Sequence, residues 1–445
     1  MSAGSRTAAA IGVSALLDGG NAFDAAVSAA LAETVALPSK CGLAGDVVAL
    51  CLPAGTDTPI SMVAIGGAAN GLWQAAQTAG WNLAATGPLA VGIPGAPAGY
   101  ARLAGRGQLP LQRLAEPAIA LARRGIWWSP MNVLLEQEAR PLLRRYQPDG
   151  CVYSPSDGAH SVGDLIPLPG LAGALEEFVT RGAELFDGPV GDAVVTRVRD
   201  AGGVLSAADL RSVRVHEEPA HSVQTSQGPV WATNSPTYGV ALTHALDGRT
   251  PADVRPQDVR DSLAVLSSGK LGDPSHQEGT STVAAVDSDG NAVVVVHSLS
   301  FPQYGSGLVV GGHDLVLSNR AGRGFTFEPH HANSPVPGRR PLTTLHAWGI
   351  RAPQGWLLGA TPGGQHQVPW NVQVLAQLLG DPTEATMATA MTTARWQLDS
   401  HGVDRWEGGD LAEFGARSSH TLVLTAGSRC VAAADPRWDG AAVAL

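Results

Sequence analysis

Apolar and polar positions fall into two textures along this chain. The stretch GGNAFDAAVSAALAETVALP, residues 19–38, predicts a helix. Asn21 and Asp24 stand near its start and Pro38 stops it. Its Ala and Val content suits burial on more than one side. CGLAGDVVALCL then reads as a Gly-rich turn into a buried strand. GIPGAPAGYARLAGRGQLPLQRLAEPAIALARRGIWWSP gives two amphipathic helices split by a Gly-Gln-Leu-Pro break. A helical middle follows, and AGGVLSAADLRSVRV reads as a capped turn and helix. Residues 247–279 are polar and rich in Pro and Gly, which predicts a linker or loop with one short helix.

Past Thr280 the pattern becomes that of strands. TVAAVD and NAVVVVHSLS pair around Ser288-Asp289-Gly290, a hairpin signal. Val293 to Val296 do not alternate with polar residues, so both faces of that strand need cover. HDLVLSNR, TTLHAWGIR and GWLLGATPGG predict further strands. HQVPWNVQVLAQLLG and PTEATMATAMTTARWQL predict helices, and SHTLVLTAGSRCVAAADPRWDGAAVAL closes with strands and a turn. The order points to an α/β chain in four layers, helix on sheet on sheet on helix.

Composition narrows the function classes. The chain has 445 residues, 44% hydrophobic and 15% charged, enough for a large core. A net charge of −10 with no basic run argues against nucleic acid or an anionic membrane as partner. Lys40 and Lys270 are the only lysines. Arginine carries the positive charge, a bias that hints at an actinobacterial source. Cys41, Cys51, Cys151 and Cys430 are scattered, which fits reduced core thiols in a reducing, cytoplasmic compartment. The apolar patch AAAIGVSALL lacks a basic flank and a cleavage site, so neither a signal peptide nor a membrane span is expected. His276, His297 and His346 stand apart from Cys and carboxylates, and His330-His331 are merely adjacent. No metal, dinucleotide or phosphate-loop signature is present, and no cofactor is expected.

One step is left over. Gly279-Thr280 lies just ahead of the hairpin, where the turn does not require it. Gly-Thr before a strand is common, because Thr favours strands. Its neighbours make it specific. GGNAFDAAVSAALAETVALP, GTSTVAAVDSDGNAVVVV, GRRPLTTLHA, ATPGGQHQ and ADPRWDGAA occur in the order found in γ-glutamyltransferases. The chain resembles that family over most of its length.

The resemblance implies an N-terminal-nucleophile hydrolase, an αββα sandwich made as one precursor that cuts itself. The cut falls at Gly279-Thr280. It gives a large subunit, 1–279, and a small subunit, 280–445, which stay associated. Thr280 becomes the nucleophile, its free α-amine serving as base for its own hydroxyl. The family match assigns Gly363 and Gly364 to the oxyanion hole. It puts Thr343 and Thr344 where two serines bind the substrate's α-carboxylate. Ser298 is either the hydroxyl that supports the nucleophile or a polar residue closing a strand.

Two departures set the chain apart. The family's carboxylate-binding Arg should fall in VAIGGAANGLW, Val63 to Trp73, which carries no charge. The family's acid for the substrate amine should lie near LSNRAGRGF, which instead offers Arg320 and Arg323. Either these form a cationic clamp for a dicarboxylate or 2-oxo acid, or they sit on a solvated rim. Three readings follow for a small-molecule substrate. The first is an ordinary γ-glutamyl hydrolase or transferase. The second is a specialised relative acting on a non-glutamyl acid, by amide or carbon–carbon hydrolysis beside a 2-oxo acid, as in 4-alkyl-proline antibiotic pathways. The third is a non-catalytic relative, against which the retained Thr280 and Gly363-Gly364 argue.

Overall fold

A computed structural model describes residues 1–267, 279–398, 404–406, 419–427 and 429–445. His276 and the other residues of 268–278 lie outside the described residues. Two antiparallel sheets form the centre. In the first, the strands run Ala441–Ala442, Ser2–Ala3, Thr280–Val286, Ala292–Ser298, Asp46–Leu52, Ile60–Ala64 and His216–Pro219 from edge to edge. In the second, the order is Arg429–Ala434, Thr421–Ala426, Gly355–Ala360, Trp348–Ala352, Gly228–Ala232 and His221–Thr225.

Three apolar clusters separate four layers. Val293 and Val295 face the helices of the first layer, and Val294 and Val296 face the second sheet. Period-two alternation therefore buries both faces of this strand, which is why its sequence is apolar throughout. The second sheet's outer face packs Leu357 and Leu422 against helices Gly239–Leu246 and Gln367–Leu378. The structure is the αββα sandwich expected from the order of elements.

The first-layer helix Ala22–Ala36 is buried along nearly its whole length. Asn21 Oδ1 accepts from the N–H groups of Phe23 and Asp24 at 2.9 and 3.2 Å, and Asp24 accepts from Asn21 N at 2.8 Å. This is a capping box, the device that satisfies the orphan donors of a buried helix start. The hairpin tip is pinned to the same place, since Asp287 Oδ2 accepts from Ala22 N at 2.9 Å.

Several elements were not legible. The N-terminal apolar patch is a helix, Arg6–Leu17. His216–Pro219 and His221–Thr225 are largely exposed strands whose polar residues mask the pattern. HDLVLSNR holds only the short strand Leu315–Val316. PTEATMATAMTTARWQL forms the helix Glu384–Thr392 and then a strand, Trp396–Leu398. Among the described residues no helix is long and apolar enough to cross a membrane.

Candidate functional site

Hairpin pairing sets the register at Thr280. Thr280 lies opposite Ser298, and Ser298 lies opposite Asp46 on the next strand. Cross-strand partners share a face, so one row carries a nucleophile type, a hydroxyl and a carboxylate. Thr280 is 4% exposed. Its Oγ1 is 3.1 Å from Ser298 Oγ. Ser298 Oγ donates to the Gly279 carbonyl and accepts from Ser300 N at 2.8 Å. A hydroxyl has one hydrogen and two lone pairs. With its hydrogen on Gly279 O, Ser298 must accept from Thr280, leaving a Thr280 lone pair beside the carbonyl that Ser298 polarises. Gly279 cannot be another residue in this conformation, because a Cβ there would lie 1.4 Å from Ser300 O.

A cavity of about 370 Å³ adjoins this end of the hairpin. Phe301, which touches the Gly279 position, lines it together with Arg320, Arg323, Thr344 and Gln365. Gln365 directly follows the Gly363-Gly364 pair. Arg320 is 3% exposed and bonds Asp46 through Nε at 2.7 Å, while its Nη2 has no hydrogen-bond partner among the described residues. Burial pushes the Asp46 carboxyl up, and Arg320 opposes that shift. Arg323 stacks over the Phe301 ring at 4.5 Å and donates to Phe301 O at 3.1 Å. Arg320 is thus ion-paired to Asp46, and Arg323 braces an aromatic wall. The sequence reading found no anion here. The structure corrects that, because Asp46 arrives from a distant strand and Glu328 lines the same cavity.

Gly363 has φ 126° and Gly364 φ 56°, left-handed values that favour glycine. A Cβ on Gly363 would also strike Trp370 at 2.2 Å. Thr344 lines the cavity. Thr343 does not, and its Oγ1 accepts from Leu345 N at 3.2 Å.

Behind Thr344 lies a buried polar chain. His346 Nδ1 bonds Thr344 O at 2.8 Å and Nε2 meets Asn371 Nδ2 at 2.8 Å. Asn371 Oδ1 takes Trp348 Nε1 at 2.8 Å and His420 Nε2 at 3.1 Å. The chain closes only with His346 neutral, since a second N–H would face the Asn371 amide donor. Burial pushes His346 down to about 4 and His420 to about 3. For His346, the unfolded chain binds the extra proton below its ordinary value of 6.5 while the folded one does not until about 4. Stability is thus expected to fall between those pH values, by about 3 kcal/mol from His346 alone. Urea midpoints at pH 7 and pH 4.5 check this. An unchanged midpoint in wild type, with His346→Gln no less acid-sensitive, would contradict it.

The reverse face of the hairpin holds another cluster. His297 bonds Tyr100 and Glu33, each at 2.7 Å. Glu33, Cys41 and His297 bring donor atoms within 4.8 Å of one another. Linear spacing had shown His297 alone, and folding corrects that. The cluster is fully buried, and burial, then Glu33, pushes the Cys41 thiol well up, so it stays protonated.

The gamma-glutamyltranspeptidase family model matches residues 8–267 and 250–445. The chain belongs to that family. An oxamate amidohydrolase proenzyme of Klebsiella pneumoniae is 26% identical, over 86% of this chain and 82% of its own. The glutathione hydrolase proenzyme of Escherichia coli is 24% identical, over 83% and 76%. Among solved structures, a cephalosporin acylase from Bacillus halodurans superposes with a TM-score of 0.85 at 22% identity, covering 99% of this chain and 94% of its own. A structure of LmbA2991 does so with a TM-score of 0.84 at 23%, covering 100% and 97%. These likenesses establish the N-terminal-nucleophile hydrolase fold. Against this family background, Asp46 and Phe301 are the site residues that sequence reasoning missed. Only an acid opening the wholly apolar strand GDVVALCL hinted at Asp46.

Proposed function

We propose that this chain is a self-processing N-terminal-threonine hydrolase whose substrate is a small non-glutamyl acid with its carboxylate beside the reacting carbonyl. The observation that carries the processing step is the Thr280–Ser298–Gly279 arrangement. Thr280 Oγ attacks the Gly279 carbonyl, the C–N bond breaks to give an ester, and water hydrolyses it. The products are a Gly279 carboxylate and a Thr280 α-amine, which then serves as base for the same hydroxyl. Thr280 becomes the acyl acceptor, and the backbone of Gly363 and Gly364 stabilises the tetrahedral oxyanion.

The substrate reading rests on Arg320. A buried guanidinium on the cavity wall whose Nη2 no described protein group satisfies suits a carboxylate, and its bond to Asp46 fixes its direction. Oxamate, named in one relative, carries a carboxylate directly on an amide carbonyl. The same tetrahedral centre serves a carbon–carbon bond beside a 2-oxo acid, the reaction of a specialised-metabolite pathway. Val63 to Trp73 supply no cation for a glutamyl carboxylate.

Steady-state kinetics test this reading. Oxamate-type amides are expected to turn over, and γ-glutamyl anilides and glutathione poorly or not at all. Arg320→Gln is combined with Asp46→Asn, since an unpaired buried carboxylate would cost about 3–5 kcal/mol. The double variant is expected to lose about 10- to 100-fold in kcat/KM, the value of a charge-assisted hydrogen bond. Efficient glutathione hydrolysis, unaffected in that variant, would restore the ordinary γ-glutamyl reading.

A further inference from the structure

The cavity that holds Arg320 carries more aromatic lining than a clamp for a small dicarboxylate needs. Trp81, Phe301, Phe325 and Phe327 line it, with Leu83 and Leu342. Trp81 is the telling member. Its φ is 62°, a left-handed conformation that a bulky L-residue adopts only under constraint. It follows Gly80, also left-handed at 61°, where the chain leaves the helix Leu72–Thr78. Its N–H bonds Ala76 O at 2.7 Å, and its ring stands edge-on to Trp73 at 4.8 Å. Two contacts thus hold an unfavourable backbone so that an indole reaches the cavity. Arg323 fixes another ring of the lining by stacking on Phe301. The volume, 370 Å³, exceeds what a two-carbon acid fills.

The geometry points to a substrate that joins two chemistries: a carboxylate on Arg320 and a bulky apolar group, aryl or branched alkyl, between Trp81 and the phenylalanines. This rests on the proposed role of Arg320 and extends it to the other end of the molecule. Apolar rings recognise by area and exclude water, which strengthens the ion pair beside them.

Calorimetry on the processed protein with pyruvate and phenylpyruvate tests it. The two ligands share the carboxylate and ketone and differ by a phenyl ring. Phenylpyruvate is expected to bind about 10- to 100-fold tighter, the factor for burying such a group. In Trp81→Ala the ratio of the two constants is expected to fall toward 1, with Trp81→Phe between; Phe327→Ala is a second variant at a partly exposed position. Equal affinities in wild type, or a ratio unchanged in both alanine variants, would overturn the proposal. The Asp46→Asn/Arg320→Gln variant separates the two readings. It should weaken both ligands and keep their ratio. If it weakens neither while Trp81→Ala lowers the ratio, the carboxylate role falls and the apolar wall stands.

Discussion

On a denaturing gel, wild-type protein is expected to run as two chains, residues 1–279 and 280–445, and Thr280→Ala as one chain of 445 residues. Under native conditions the two pieces should stay together. Ser2–Ala3 pairs with the strand that begins at Thr280, and Asp46–Leu52 pairs with Ala292–Ser298. The second sheet likewise takes Gly228–Ala232 from one side of the cut and Trp348–Ala352 from the other. Pulling the pieces apart would open both sheets and expose their apolar faces. Substrate turnover in Thr280→Ala should drop on the order of 10⁴-fold or more, as for loss of a nucleophile. Gly279→Ala should also remain uncut although Thr280 is intact, because its Cβ collides with Ser300 O. A single, fully active wild-type chain would refute the assignment of Thr280.

Ser298→Ala should slow self-cleavage by about 10²- to 10³-fold, the cost of removing one donor from a developing oxyanion. Ser298 is the side chain seen on the Gly279 carbonyl, and it also receives the Thr280 hydroxyl. The variant should still fold. The lost bonds to Thr280 and Ser300 cost about 1–3 kcal/mol, a modest part of the stability of a chain this size. Ser298→Thr keeps the hydroxyl and is expected to recover most of the rate. The measurement is the fraction of uncut chain against time after synthesis. Cleavage at the wild-type rate in Ser298→Ala would reduce Ser298 to a polar residue closing a strand, the other reading its sequence position allowed.

The sequence by itself determined what depends on neighbours in the chain. Asn21 and Asp24 announced a capped helix, because capping is local. Ser288-Asp289-Gly290 announced a turn, and Gly290 takes φ 96° there. Val293 to Val296 announced cover on both faces, because alternation is absent. Ordered blocks around Gly279-Thr280 announced the family. What only the tertiary structure decided is which distant residues meet. Arg320 and Asp46 are 274 positions apart in the chain, so no spacing shows their bond. The bond turns Arg320 from an expected bare cation into a paired guanidinium whose Nη2 stays unsatisfied among the described residues. His297 looked isolated because Glu33 lies 264 positions away on the covering helix. Nothing in the sequence singles out Trp81, and only the fold brings it to the cavity that Phe301 also lines. Local signals fix elements through bonds between near neighbours. A buried charge or an aromatic wall takes its meaning from partners that only packing supplies.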